Sequence, residues 1–317
     1  METLQGSGRI LDYVEALKKD GFVFFRNFFE ENLVNRAFQE ITSLYDAQGG
    51  NQWGNSERLI DIFGKAPAFD AMLDKFLTDP LSSGVLRALA GSSIKIRGYN
   101  IRRMDGSYDP APLDRESSIP HEWHRDAKGE ICISFLLTDV PGPDCGATAL
   151  LPGSHLYPYC PKRELIFSKT LAYPGKKFFV KHNFFNQALG RKVFKKRTGA
   201  YGKKGDAYLF INDVWHGREA NLTGHKSMIS FVGAFPIDFP FPDGWTPPPD
   251  EVIDQLPLSI QKALRPLQNT QQDKPEESII HWMYQHRQPP SLLFRLAKLE
   301  RDITAKTGKQ RAPKQRA

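Results

Sequence analysis

Apolar residues along this chain fall into short runs interrupted by Gly, Pro and Asp. Ile94 to Ile101 carries apolar side chains mostly at alternate positions, and Ile131-Cys132-Ile133-Ser134-Phe135-Leu136-Leu137 is an apolar run rich in β-branched residues. Both predict strands. From Gly205 to His216 the chain reads as a turn, a buried strand and a polar exit that ends in the histidine, and Ser227 to Val232 reads as another strand. No strand–helix alternation repeats, so the pattern predicts an antiparallel barrel or jelly roll, mainly β with flanking helices (α+β). Leu11 to Leu17 reads as a surface helix, residues 250–270 and 276–287 as helical, and Asp238 to Asp250 as an irregular crossing. After the break at Pro289-Pro290, Leu292, Leu296, Leu299 and Ile303 fall on one helical stripe, widened by Leu293 and Phe294.

Placed on strands, a few polar residues acquire meaning. His124 and Asp126 are two apart, so on a strand they point to the same face while Arg125 points away. His216, at the end of a distant strand, supplies a second imidazole. Two histidines and one carboxylate occupy one face of an octahedral ion and leave the opposite positions open, the ligand pattern of non-haem Fe(II) oxygenases. His121 is an alternative ligand but has no Asp two residues on, and His155, His182, His225, His281 and His286 have no partner at ligand spacing.

Four stretches in order resemble the phytanoyl-CoA dioxygenase superfamily of Fe(II)/2-oxoglutarate oxygenases. They are Asp20-Gly21-Phe22-Val23-Phe24-Phe25-Arg26-Asn27-Phe28-Phe29, His121 to Asp126, Cys145-Gly146-Ala147-Thr148-Ala149-Leu150-Leu151-Pro152-Gly153-Ser154-His155, and Gly205-Asp206 through His216-Gly217 and Asn221. The resemblance covers about residues 10–235. It implies a double-stranded β-helix (jelly-roll, cupin-like) core, Fe(II) held by His124, Asp126 and His216, 2-oxoglutarate and O2 as cosubstrates, and hydroxylation of a C–H bond. An Asp at 126 argues against the halogenating relatives, which need that position vacant. The family holds the far carboxylate of 2-oxoglutarate with a basic residue ten or eleven positions after the second His. Here Lys226 is at the tenth position and Ser227 at the eleventh, where Arg is commoner. Arg218 faces the same way as His216 if that strand continues and is the second candidate. A non-catalytic jelly-roll binding protein is the alternative that the intact ligand set disfavours.

Charge bears on the substrate. The formal net charge is +7, unevenly spread. Leu165 to Gly205 holds eleven Lys/Arg and no Asp or Glu, with Phe178, Phe179, Phe184, Phe185 and Phe194 interleaved. Ser291 to Ala317 holds eight Lys/Arg against Glu300 and Asp302. In the family the first block lies near the substrate entrance, where positive charge attracts an anion. Arg102, Lys195, Lys196 and Arg197 are the candidate substrate contacts. The basic amphipathic helix over 292–303 suits an anionic membrane surface or the face of the core. Together these point to an anionic substrate, small or lipid-linked: a Kdo sugar of lipid A in the lipopolysaccharide inner core, or else an acyl-CoA or small anionic metabolite. The motifs of RNA- and DNA-binding modules are missing, and no nucleic-acid partner is expected. Residues 1–240 are expected to form the oxygenase core with its N-terminal helices, and 241–317 a helical extension with a basic tail. Cys132, Cys145 and Cys160 have no framework spacing and read as reduced thiols. No stretch approaches the ~18 apolar residues of a membrane span. With no signal-peptide pattern, a cytoplasmic protein is expected, peripheral at the inner face of the membrane if the basic helix binds there.

Overall fold

The computed structural model describes residues 2–53, 56–60, 62–104, 106, 124–156, 196–219, 221–240, 246–265, 278–287, 295, 296 and 299. Among the described residues, ten strands form two antiparallel sheets. The larger has the order β1-β8-β5-β10-β4-β3-β2 and the smaller β7-β6-β9. The large sheet is built from β1 (Phe22–Phe25), β2 (Asn51–Trp53), β3 (Ser56–Ile60), β4 (Ile94–Met104), β5 (Ile131–Phe135), β8 (Ala207–Ile211) and β10 (Ser227–Pro236). The small one is built from β6 (Thr148–Leu150), β7 (Thr198–Gly199) and β9 (His216–Arg218).

The central strands are predominantly apolar because both of their faces are buried. Val23, Phe25, Ile131, Ile133, Phe135, Leu209 and Ile211 pack against helices on one side. Their neighbours Phe22, Cys132, Tyr208 and Phe210 turn the other way and meet Leu150, Ala147 and Ala200 of the small-sheet side. The Thr148 and Tyr208 hydroxyls lie 3.0 Å apart and tie the two sheets together. Two-sided burial removes the polar half of the usual strand alternation.

The helical layer is larger than the sequence pattern suggested. It comprises α1 (Glu2–Asp20), α2 (Glu31–Gln48), α3 (Pro67–Thr78), α4 (Pro80–Ala90), α5 (Asp250–Ile253), α6 (Leu258–Leu264) and α7 (Ile279–Gln285). The expected surface helix is the middle of α1. Leu11 is exposed as expected, but Leu17 is fully buried in the core. The helical region from 250 is two short helices, because Pro257 removes an N–H and restarts the chain as the N-cap of α6. Ile253, Ile260, Leu264, Ile279, Ile280 and Met283 join the same core as the sheet, so these helices pack directly on it. Of the helix expected over 292–303 only 295, 296 and 299 are described, and the basic tail beyond lies outside the described residues. Among the described residues no helix is long and apolar enough to cross a membrane.

Candidate metal centre

The expected pairing of His124 and Asp126 is met by a different local structure. Among the described residues, 124–126 form no continuous strand. His124 makes a single antiparallel bridge to His216. Its N–H donates to the His216 carbonyl (3.0 Å), and the His216 N–H donates back to the His124 carbonyl (3.1 Å). Asp126 is then anchored separately, its N–H donating to the Asn212 carbonyl at 3.3 Å. The bridge sets the two imidazoles side by side, ring centroids 4.3 Å apart.

Asp126 faces both rings. Its Oδ1 lies 3.7 Å from His124 Nε2 and its Oδ2 3.4 Å from His216 Nε2. One ligand atom from each of the three residues lies within 4.8 Å of the others, and among the described residues this is the group able to hold a metal ion. Ligands at about 2.1 Å and right angles are separated by about 3 Å, so a small inward shift closes the set on an ion. The His216 Nδ1–H donates to the Val214 carbonyl at 2.9 Å, leaving the Nε2 lone pair for a metal. The His216 side chain is 9% exposed, against 26% for His124 and 32% for Asp126, so the centre opens to solvent on the side of the latter two.

The glycine-rich stretches shape this site. In Pro152-Gly153-Ser154-His155, Gly153 has φ +74°, where a side chain is strained. Ser154 Oγ accepts the Trp215 N–H at 2.7 Å and donates to the Leu151 carbonyl at 2.8 Å. The stretch therefore pins the residue before His216. His155 is buried and bonded through Nε2 to the Lys18 carbonyl (3.0 Å), and burial pushes its pKa down to about 4. Arg125 turns away from the centre as expected, donating to the Ser154 carbonyl at 2.6 Å, with its guanidinium 5.2 Å from the Trp215 ring. At the other end of the β8 segment, Asp206 accepts from Arg26 (2.8 Å) and the Asn27 N–H (2.8 Å), fixing β1 beside β8.

The candidate cations differ in burial. Lys226 is exposed. Its side chain precedes the point where β10 enters the sheet. Arg218, two residues after His216 on β9, is 1% exposed, and Ser227 is 3% exposed. Arg102 was placed among the substrate contacts. It stands directly opposite both Arg58 and Ile229 in the strand register and lies over the Phe231 ring at 4.8 Å, on the inward face. Burial, with the like charges of Arg218 and Arg58 behind it, brings its pKa down to about 9. Of the basic block, Lys196 is exposed and Arg197 is committed to Glu219 at 3.1 Å. Lys195 and His121, like residues 157–194, lie outside the described residues. Asn221, the last residue of the sequence resemblance, shapes the turn before β10 by donating to the His225 and Gly106 carbonyls.

No protein-family model and no curated protein matches the chain. Solved structures do. The epimerase SnoN in complex with Fe3+, alpha ketoglutarate and nogalamycin RO superposes with a TM-score of 0.54 at 15% identity, covering 77% of this chain and 94% of its own. HygX from Streptomyces hygroscopicus with nickel and 2-oxoglutarate bound gives a TM-score of 0.48 at 18% identity, covering 72% and 87%. At these identities the likeness is one of architecture, and by it this chain shares the fold of SnoN.

Proposed function

We propose that this chain is an Fe(II)/2-oxoglutarate-dependent oxygenase built on a double-stranded β-helix. The observation that carries the reading is the convergence of His124, Asp126 and His216, with His216 Nδ1 occupied and Nε2 aimed at Asp126. Two neutral imidazoles and a carboxylate suit Fe(II) and leave positions for a chelating cosubstrate. SnoN, whose fold the chain shares, was solved with Fe3+ and alpha ketoglutarate. Bound together, iron, 2-oxoglutarate and O2 supply the oxidising equivalent for C–H chemistry.

The protein's own residues hold and orient. His124, Asp126 and His216 fix the ion. Arg218, buried on β9, and Arg102, inward-facing on β4, would hold the distal carboxylate of 2-oxoglutarate, and Ser227 Oγ would donate to it. Ser227 Oγ is buried without a hydrogen-bond partner among the described residues. Like charges facing one another across strands are unfavourable, and an anion between them offsets that repulsion. Lys226 has no part in this arrangement.

The reaction we favour is hydroxylation of an anionic substrate, with a Kdo sugar of lipid A as its finest form. Its support is the charge of the sequence from Lys176 to Lys204 and in the basic C-terminal tail. An acyl-CoA or a small anionic metabolite shares that support in part. The test is incubation of the Fe(II)-loaded chain with 2-oxoglutarate, O2 and each candidate, measuring succinate and product mass. Hydroxylation adds one oxygen atom to the substrate. A product of unchanged mass, as an epimerase gives, overturns the hydroxylase reading, and absence of any 2-oxoglutarate turnover overturns the oxygenase reading.

A further inference from the structure

The segment Asn212-Asp213-Val214-Trp215 joins β8 to β9 and touches both ligand-bearing stretches. The Asn212 carbonyl accepts the Asp126 N–H, and the Val214 carbonyl accepts the His216 Nδ1–H. Asp213 lies between these two carbonyls and is 1% exposed. Its side chain turns away from the metal ligands toward α7. The Tyr284 hydroxyl donates to Oδ2 at 2.7 Å, the Arg287 guanidinium pairs with Oδ1, and the Gly129 N–H approaches Oδ2 at 3.4 Å. Gly129 follows Asp126 by three residues, so the same carboxylate also touches the loop that carries that ligand. Tyr284 is itself held between cations, Arg287 at 4.3 Å and Lys128 at 4.5 Å from its ring.

We propose that Tyr284, Arg287 and Asp213 form a clamp through which α7 sets the geometry of the metal centre. The inference rests on the reading of His124, Asp126 and His216 as metal ligands. A buried carboxylate is stable only where it is paired and hydrogen-bonded, so Asp213 has one well-defined position while the clamp is made. That position fixes the two flanking carbonyls, and the Val214 carbonyl fixes the His216 ring and its tautomer. Tyr284 and Arg287 are thus positioning residues for ligands far from them in sequence. Docking α7 does not itself need the clamp. Ile279, Ile280 and Met283 are buried in the core, and Ser278 Oγ caps the helix by accepting the His281 N–H at 3.1 Å.

The test is Co(II) titration of the full-length chain followed by visible absorption, with far-UV circular dichroism as the folding control. Outer partners of metal ligands typically change metal affinity about tenfold to a hundredfold when removed. Arg287→Met and Asp213→Asn are expected to weaken Co(II) binding by that factor and alter the band shape. Tyr284→Phe, which removes one hydroxyl, is expected to do the same to a lesser degree, and it decides the matter if the other two variants fail to fold. Arg287→Lys is expected to recover part of the loss. Arg265→Met, which breaks an exposed ion pair with Asp250 and Asp254, is expected to leave binding unchanged. Unchanged Co(II) affinity in Tyr284→Phe and Arg287→Met, with loss in Asp126→Ala, overturns the clamp alone. Unchanged affinity in Asp126→Ala overturns the metal centre and the clamp with it.

Discussion

His216 shows how a single side chain is prepared for its task. Its backbone is locked by the bridge to His124, its Nδ1–H by the Val214 carbonyl, and its preceding residue by Ser154. His216→Ala should abolish metal binding, which equilibrium dialysis against Fe(II) or Co(II) measures. The cation for 2-oxoglutarate gives a sharper contrast. Removing one partner of a buried charge pair costs roughly 2–5 kcal/mol, and about 1.4 kcal/mol is a factor of ten. Arg218→Ala should therefore raise the apparent KM for 2-oxoglutarate more than tenfold, whereas the exposed Lys226 should tolerate alanine with KM unchanged. Steady-state succinate release at varied 2-oxoglutarate checks both. The three candidate ligands were legible in the sequence because the His124–Asp126 spacing stood beside the Pro152-Gly153-Ser154-His155 and Gly205-Asp206…His216-Gly217 stretches. The arginines proposed to hold the anion were only half legible. Arg218 follows from counting two residues past His216. Arg102 arrives from β4, and only the β4–β10 register reveals that it stands opposite Ile229, two residues along β10 from Ser227.

At the scale of elements, the strands around the site were readable and the helices over residues 31–90 were passed over. Their signal was present: Val34, Ala37, Ile41 and Tyr45 share one face of α2 and are all buried. Asp79-Pro80 is a strong start for α4, since Asp79 Oδ1 accepts the Leu81 and Ser82 N–H groups at 3.0 and 3.1 Å. Asp79→Ala should lower unfolding free energy by about 1 kcal/mol, measured by urea denaturation, without touching metal affinity. The glycine-rich stretch behaves differently. Ser154 serves two backbone partners next to His216, so Ser154→Ala leaves the buried Trp215 N–H unsatisfied. It should cost about 1–3 kcal/mol and also weaken Co(II) binding. A motif read from sequence as a mark of the site is thus, in structure, the support of the residue before a ligand. Among the described residues the pairing expected at 124–126 is one bridge at His124, and the Asp126 N–H donates to the turn carbonyl of Asn212 rather than to a neighbouring strand.

Two buried titratable groups give the whole molecule opposing pH responses. His155 is held neutral by burial down to about pH 4. The unfolded chain protonates it near 6.5, so below that the unfolded state binds more protons and stability falls as pH falls to about 4. Asp70 is raised by burial to about 7. Between its unfolded value near 3.9 and that point the folded state binds the extra proton, so stability falls as pH rises. Each slope reaches at most about 1.4 kcal/mol per pH unit, and they oppose one another over much of pH 4–6.5. Asp70→Asn should stabilise the protein at pH 8 and steepen its loss of stability on acidification, read from denaturation midpoints across pH. The strand order carries a further consequence, for the chain as it is made. β10 is the last of the described strands in sequence, yet it sits between β5 and β4 near the middle of the large sheet. A nascent chain ending before Ser227 already contains all three metal ligands but presents β4 and β5 as two open edges. The sheet cannot close until β10 leaves the ribosome, so fragments that stop short of Ser227 should aggregate rather than fold as a smaller domain.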